Sequence, residues 1–157
     1  MGKRVDDLVA RLTKGAGKTA QILGSLSDDQ WQRVLYTEPL VWTARDVAAH
    51  FLSAEEALLR VMQDVASGGP GAPEDFNYDD FNSDEQTRLT GLPPRRLLTD
   101  LVKARAATIA WVSNLGESDL DRHGHHPALG DITLESFINA IYGHQLMHMR
   151  DLQRLLA

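Results

Sequence analysis

The sequence predicts an all-α protein built as an antiparallel four-helix bundle. Two observations carry that expectation. Four long stretches repeat apolar residues at helical spacing, and none alternates convincingly as a strand would. The breaks between them fall in Gly/Pro-rich or polar segments that interrupt a helix. A chain of 157 residues is most simply one domain, 1–157, long enough to bury a core.

The first helix is expected from about 3 to 24, with Leu8, Leu12, Thr19, Ile22 and Leu23 on one side. A Ser-Asp-Asp-Gln stretch at 27–30 then reads as a capped short turn leading into Trp31. The second helix starts at Thr43, a natural N-cap, with Asp46 near the positive helix end. Its core stripe is Val47, His50, Phe51, Ala54, Leu58, Val61 and Val65, and it stops before Ser67-Gly-Gly-Pro-Gly-Ala-Pro73. The stretch from 67 to about 90 is the one long connection, and its length leaves room for a crossover. It carries Phe76, Tyr78 and Phe81, so it is expected to fold back over the bundle or over a site. Pro93 and Pro94 open the third helix, which continues through Leu97, Leu101, Ala104, Thr108, Trp111, Val112 and Leu115. A polar, His-rich loop spans about 116–132, with room for a short hairpin. The fourth helix begins at Thr133 and runs nearly to the last residue.

Composition narrows the function classes. Hydrophobic residues make up 43 % and charged residues 24 %, as in an ordinary soluble domain. The net charge of -6 argues against a nucleic-acid partner. Cys is absent, so this chain supplies no disulfide, thiolate ligand or Cys nucleophile. The charged start, Met1-Gly-Lys-Arg-Val-Asp-Asp-Leu8, has no apolar core of a secretory signal. No apolar run approaches the ~18 residues of a membrane span, so no membrane partner and a cytoplasmic location are expected. No nucleophile elbow, P-loop or dinucleotide fingerprint occurs; Gly15-Ala-Gly-Lys-Thr19 lacks the upstream Gly spacing and sits in a helical pattern.

The chemistry lies in the histidines. His144 and His148 are four apart on the last helix, on an apolar stripe with Phe137, Ile141 and Leu155. That spacing can place two ring nitrogens on one divalent ion. His50, on the core stripe of the second helix, is the natural third ligand. Three nitrogens with an open position describe a catalytic rather than a closed metal site. Imidazoles alone do not choose among zinc, nickel, copper and iron. Each residue also has a plainer reading: His50 as a core histidine bonded to a carbonyl, and the pair as part of a solvated face. All three on core stripes bring the metal reading level with the plainer one. His123, His125 and His126 read as solvent-facing or as a cap on the bundle end. Asp46, one turn before His50, and Asp151, three residues after His148, could accept the other ring N–H of a metal-bound histidine, and Glu55 or Glu56 could accept a proton near the metal. The plainer reading is favoured for each: Asp46 as a helix cap, Asp151 as a surface partner of Arg150 or Arg154, and Glu55 and Glu56 as a solvated helix face.

The chain resembles the DinB-like (damage-inducible) superfamily of metal-dependent enzymes. Three segments carry the resemblance: Trp42-Thr-Ala-Arg-Asp-Val-Ala-Ala-His50, His126-Pro-Ala-Leu-Gly-Asp-Ile-Thr133, and Gly143-His-Gln-Leu-Met-His148-Met-Arg-Asp-Leu152. Their order and spacing are more specific than any one of them. The resemblance implies an antiparallel four-helix bundle with a long crossover between helices two and three. It implies His50, His144 and His148 as ligands of a divalent transition metal, zinc or nickel foremost, and a homodimer. Relatives include thiol-dependent S-transferases and a mycothiol-dependent isomerase, in which the metal activates a low-molecular-weight thiol cosubstrate. The resemblance carries over no separate catalytic residue. The expectation is a metal-dependent enzyme activating a small thiol or water for attack on a small electrophilic substrate. The alternative is a noncatalytic metal- or small-ligand-binding bundle that serves as sensor, store or dimeric scaffold.

Overall fold

Side-chain caps start the long helices where the sequence places them. The computed structural model describes residues 2–157. The helices are α1 (Lys3–Gly24), α2 (Asp28–Trp31), α3 (Ala44–Ala66), α4 (Tyr78–Leu89), α5 (Pro94–Ser113) and α6 (Leu134–Leu156). Thr43 Oγ1 accepts the Asp46 N–H (3.2 Å), and Asp46 Oδ2 accepts the Thr43 N–H (3.0 Å). Asp46 is therefore the cap that the sequence suggests. Thr133 starts α6 by accepting the Ser136 N–H, and Pro94 opens α5.

Helices α1, α3, α5 and α6 form the four-helix bundle. Both α1 and α3 pack on α5 and on α6. One core cluster joins Leu23, late in α1, to Ala44 and Val47 early in α3, Leu97 early in α5, and Leu152 late in α6. The other joins Val5 and Leu8 to Met62, Val65, Val112 and Phe137, the opposite ends of the same helices. Thus α1 and α6 run one way, and α3 and α5 the other. Antiparallel packing holds between α1 and α5 and between α3 and α6, while α3 and α5 are parallel neighbours. Parallel neighbours require the chain to return the length of the bundle between them, and this is the long crossover.

Part of that crossover is helical, which corrects the reading of 67–90 as a loop. Helix α4 packs along α3, capped by Asn77 Oδ1 on the Asp80 N–H (3.0 Å). Its sequence, Tyr-Asp-Asp-Phe-Asn-Ser-Asp-Glu-Gln-Thr-Arg-Leu, has too few apolar residues to show a helical stripe. The helix is attached by Leu89, buried in the first core cluster, and by polar side chains: Gln86 donates to the Asp46 carbonyl (2.7 Å).

Two small antiparallel sheets correct the expectation of no strands. Strand β1 (Val34–Tyr36) pairs with β2 (Trp42–Thr43), and β3 (His123–His126) with β4 (Gly130–Thr133). The second pair is the hairpin that the 116–132 loop has room for. The crossover is pinned to it, since Ala72 donates to the His125 carbonyl (2.9 Å) and His125 to that of Pro70 (2.8 Å). Gly71 makes this approach possible. Its φ is +89°, and a Cβ there would lie 2.7 Å from the His125 backbone nitrogen.

Two buried positions depart from the sequence reading. Leu155 is exposed, and Leu152 takes the core position on α6. Glu55 is 2 % exposed rather than solvated. It accepts two hydrogen bonds from Arg105, 2.7 Å from Nε and 3.0 Å from Nη2. So deeply buried a polar side chain is tolerated only when it is paired and hydrogen-bonded this way. No described helix is long and apolar enough to cross a membrane.

Candidate metal centre

Because α3 and α6 are antiparallel neighbours, residues early in α3 meet residues late in α6. That register brings His50 to His144 and His148. His50 Nε2 lies 3.0 Å from His144 Nε2, and His148 Nε2 lies 3.1 Å from the same atom. All three ligand-capable nitrogens fall within 4.8 Å of one another. The three rings stand nearly perpendicular to one another, at 79°, 87° and 88°. His50 and His148 are buried and His144 is half-buried. Trp42 packs on His50, with ring centroids 4.9 Å apart, and Phe51 packs on His148 at 5.7 Å.

The arrangement fits a cation better than it fits itself. A neutral imidazole offers one N–H and one lone pair. His144 Nε2 is at hydrogen-bond distance from both partners, and a single proton can serve only one of those contacts well. The other contact then sets like against like in a buried site. A divalent ion would draw all three lone pairs inward and remove the conflict. Three imidazoles and no carboxylate make a donor set suited to zinc, nickel, copper or iron.

Burial also holds the rings in the ligand-ready, neutral form. Desolvation, reinforced by the neighbouring His144 and His148, pushes His50 down to about 3. Desolvation and His144 push His148 down to about 4, against a small opposing effect of Asp151. Burial alone lowers His144. The unfolded chain takes up these protons from about pH 6.5 downward, whereas the fold refuses them until about pH 4. Stability of the metal-free protein is therefore full above about pH 6.5 and falls as pH drops from there. One ring kept neutral two pH units below its ordinary value accounts for about 3 kcal/mol. Urea melts across this range, with a chelator present, are expected to show the fall; a flat profile would mean the rings are hydrated.

Beyond the rings, the structure adds Tyr36, which the sequence did not single out, and gives Asp151 a partner that the sequence did not show. The Tyr36 hydroxyl lies 2.7 Å from His148 Nδ1 and donates to Asp151 Oδ2 at 2.5 Å. Asp151 does approach Arg154, at 3.5 Å, but its shorter bond corrects the reading of a surface partner alone. Nothing in the sequence around Tyr36 signals this contact, since it exists only because β1 packs on α6. Asn82 of α4 lies near the His50 ring and favours its proton slightly. Among the described residues, nothing completes a hydrogen bond to the buried His50 Nδ1.

The remaining histidines stay outside the cluster. His126 is buried rather than solvent-facing, and its Nδ1 accepts the N–H groups of Ala128 (3.0 Å) and Leu129 (3.1 Å). It closes the β3–β4 turn. His123 is exposed near Asp131, and His125 is held by its backbone against the crossover. Phe76 and Phe81 pack on each other at 5.6 Å, while Tyr78 is exposed. Grooves of about 580 Å³ between α3 and α5, and about 250 Å³ between α1 and α5, are lined by no triad histidine.

Comparison with solved structures shows the same fold at low identity. YfiT from Bacillus subtilis, described as a probable metal-dependent hydrolase with an unusual four-helix bundle topology, is 18 % identical. The match covers 99 % of this chain and 87 % of that one, with a TM-score of 0.79. A mycothiol-dependent maleylpyruvate isomerase is 15 % identical with a TM-score of 0.76, and the match covers 97 % of this chain but 63 % of the isomerase. The colibactin self-resistance protein ClbS, solved in complex with double-stranded DNA, is 13 % identical, with 98 % and 97 % coverage and a TM-score of 0.71. No curated protein sequence matches this one. The family model of the DinB superfamily matches residues 11–152, so the chain belongs to the DinB superfamily.

Proposed function

We propose that this protein is a metal-dependent enzyme that acts on a small electrophilic molecule, with His50, His144 and His148 as the ligands of one divalent transition ion. The observation that carries the reading is the convergence of three buried imidazole nitrogens from two helices. Zinc and nickel are the leading candidates, and neither thiolate nor carboxylate from this chain enters the set. An ion held by three nitrogens with a position open would lower the pKa of a bound thiol or water towards neutrality.

The chain's own residues do the rest. Burial keeps the three rings unprotonated at neutral pH, so they bind without first losing a proton. Trp42 and Phe51 pack on the rings and limit water there. His144, the least buried of the three, marks the open side. A cosubstrate thiol suits this chain because it has no Cys to compete for the open position. The mycothiol-dependent isomerase among the structural neighbours is consistent with that chemistry. A nucleic-acid partner is disfavoured by the net charge of -6, although one neighbour was solved with DNA.

Cobalt substitution tests the reading. Adding a low-molecular-weight thiol to the cobalt-loaded protein is expected to produce a sulfur-to-metal charge-transfer band. Any such sulfur comes from outside, since the chain has none in thiol form. The His144→Ala variant is expected to lose the band. If cobalt binds but none of several biological thiols changes its spectrum, thiol activation fails and water activation or noncatalytic metal binding takes its place.

A further inference from the structure

We propose that Asp151, acting through the Tyr36 hydroxyl, dictates which ring nitrogen of His148 carries its proton. The two are positioning residues: neither belongs to the three-imidazole cluster, and both act on one of its members. Tyr36 has a single hydroxyl proton, placed between Asp151 Oδ2 at 2.5 Å and His148 Nδ1 at 2.7 Å. An ionised carboxylate can only accept, so the phenol proton goes to Asp151. The phenol oxygen is then left as an acceptor. The proton it accepts can come only from His148 Nδ1, which must therefore be protonated. That leaves the lone pair on His148 Nε2, the atom facing His144 Nε2.

The chain of contacts thus aims a proton away from the cluster and a lone pair into it. Two separate elements hold it: Tyr36 is on β1, and His148 and Asp151 lie three residues apart on α6. Arg154 lies 3.5 Å from the other Asp151 oxygen. An ordinary phenol keeps its proton throughout the neutral range. His50 has no counterpart, since its Nδ1 lacks a hydrogen bond among the described residues.

Removing Asp151 should reverse the chain rather than only weaken it. With no carboxylate to accept it, the Tyr36 proton turns to His148 Nδ1. The imidazole proton then moves to Nε2 and occupies the nitrogen that faces the cluster. Removing Tyr36 as well takes away the donor that imposes this wrong form. The double variant should therefore recover part of what the single variant loses. A purely packing role for the two side chains would give the opposite order.

The experiment has two readouts. Long-range nitrogen–proton spectra of histidine-labelled, metal-free protein at neutral pH report the proton position. The parent is expected to show His148 protonated at Nδ1, and Asp151→Ala to show it protonated at Nε2. Titration with zinc alone reports the consequence, which rests on the function proposed above. Asp151→Ala is expected to bind at least about tenfold more weakly than the parent, the scale typical of outer partners of metal-bound His. The Tyr36→Phe/Asp151→Ala double variant is expected to bind more tightly than Asp151→Ala alone, with all variants matched for helicity. A parent His148 protonated at Nε2, or a double variant weaker than Asp151→Ala, would overturn the proposal. If even the parent fails to take up zinc while the spectra behave as expected, the metal reading fails and the proton placement stands.

Discussion

Replacing His144 with alanine is expected to cost the largest share of metal affinity, more than the ~10–100-fold typical of outer partners. His144 Nε2 is the atom that both other rings approach, at 3.0 and 3.1 Å. Its loss leaves His50 and His148 as a two-nitrogen remnant without the central donor. His50→Ala and His148→Ala should also weaken retention sharply, because two imidazoles rarely hold a zinc-like ion against competing buffer and chelator. The measurement is competition against a chelator, followed by metal analysis, on protein purified without a histidine tag. The His50 variant is the discriminating one. Should it hold metal as tightly as the parent, the pair on α6 acts alone and the three-residue site is wrong.

Arg105→Ala is expected to be among the most destabilising single substitutions in the chain, at about 3–5 kcal/mol. Arg105 and Glu55 are 3 % and 2 % exposed and joined by two hydrogen bonds. Arg105 also reaches the Leu12 carbonyl (3.4 Å), so the pair ties α1, α3 and α5 together between the two apolar clusters. Truncating the arginine leaves the buried carboxylate without its partner. The cost comes mainly from the uncompensated charge rather than from the loss of an intrinsically strong pair. The double variant Glu55→Leu/Arg105→Met should therefore be much more stable than Arg105→Ala. Urea unfolding of the three proteins separates the cases. A loss below about 1 kcal/mol for Arg105→Ala would show that water reaches Glu55 once the arginine is gone.

Both expectations depend on partners far apart in sequence, and this divides what the sequence by itself determined from what it left open. Local rules settled the helices. Thr43, Thr133 and Pro94 mark starts because capping and φ restriction involve only the next few residues. Apolar spacing assigned His50, His144 and His148 to interior stripes, and a recurring family pattern grouped them. Helix α4 escaped because its amphipathic signal is weak, with Leu89 its one buried residue and the rest of its attachment polar. Strands β1 and β2 escaped because strands of three and two residues offer no period to read.

Tertiary structure alone decided the rest. Glu55 looked solvated because a carboxylate on a helix is ordinarily exposed, and its burial is tolerable only because α5 brings Arg105 to it. Asp151 looked like a partner of nearby arginines because Tyr36, 115 residues away along the chain, reaches it only once β1 lies on α6. Sequence spacing reports which face of one helix a residue occupies. Which faces meet, and therefore which buried charge finds its partner, is fixed by the arrangement that sets α3 and α5 parallel and α3 and α6 antiparallel.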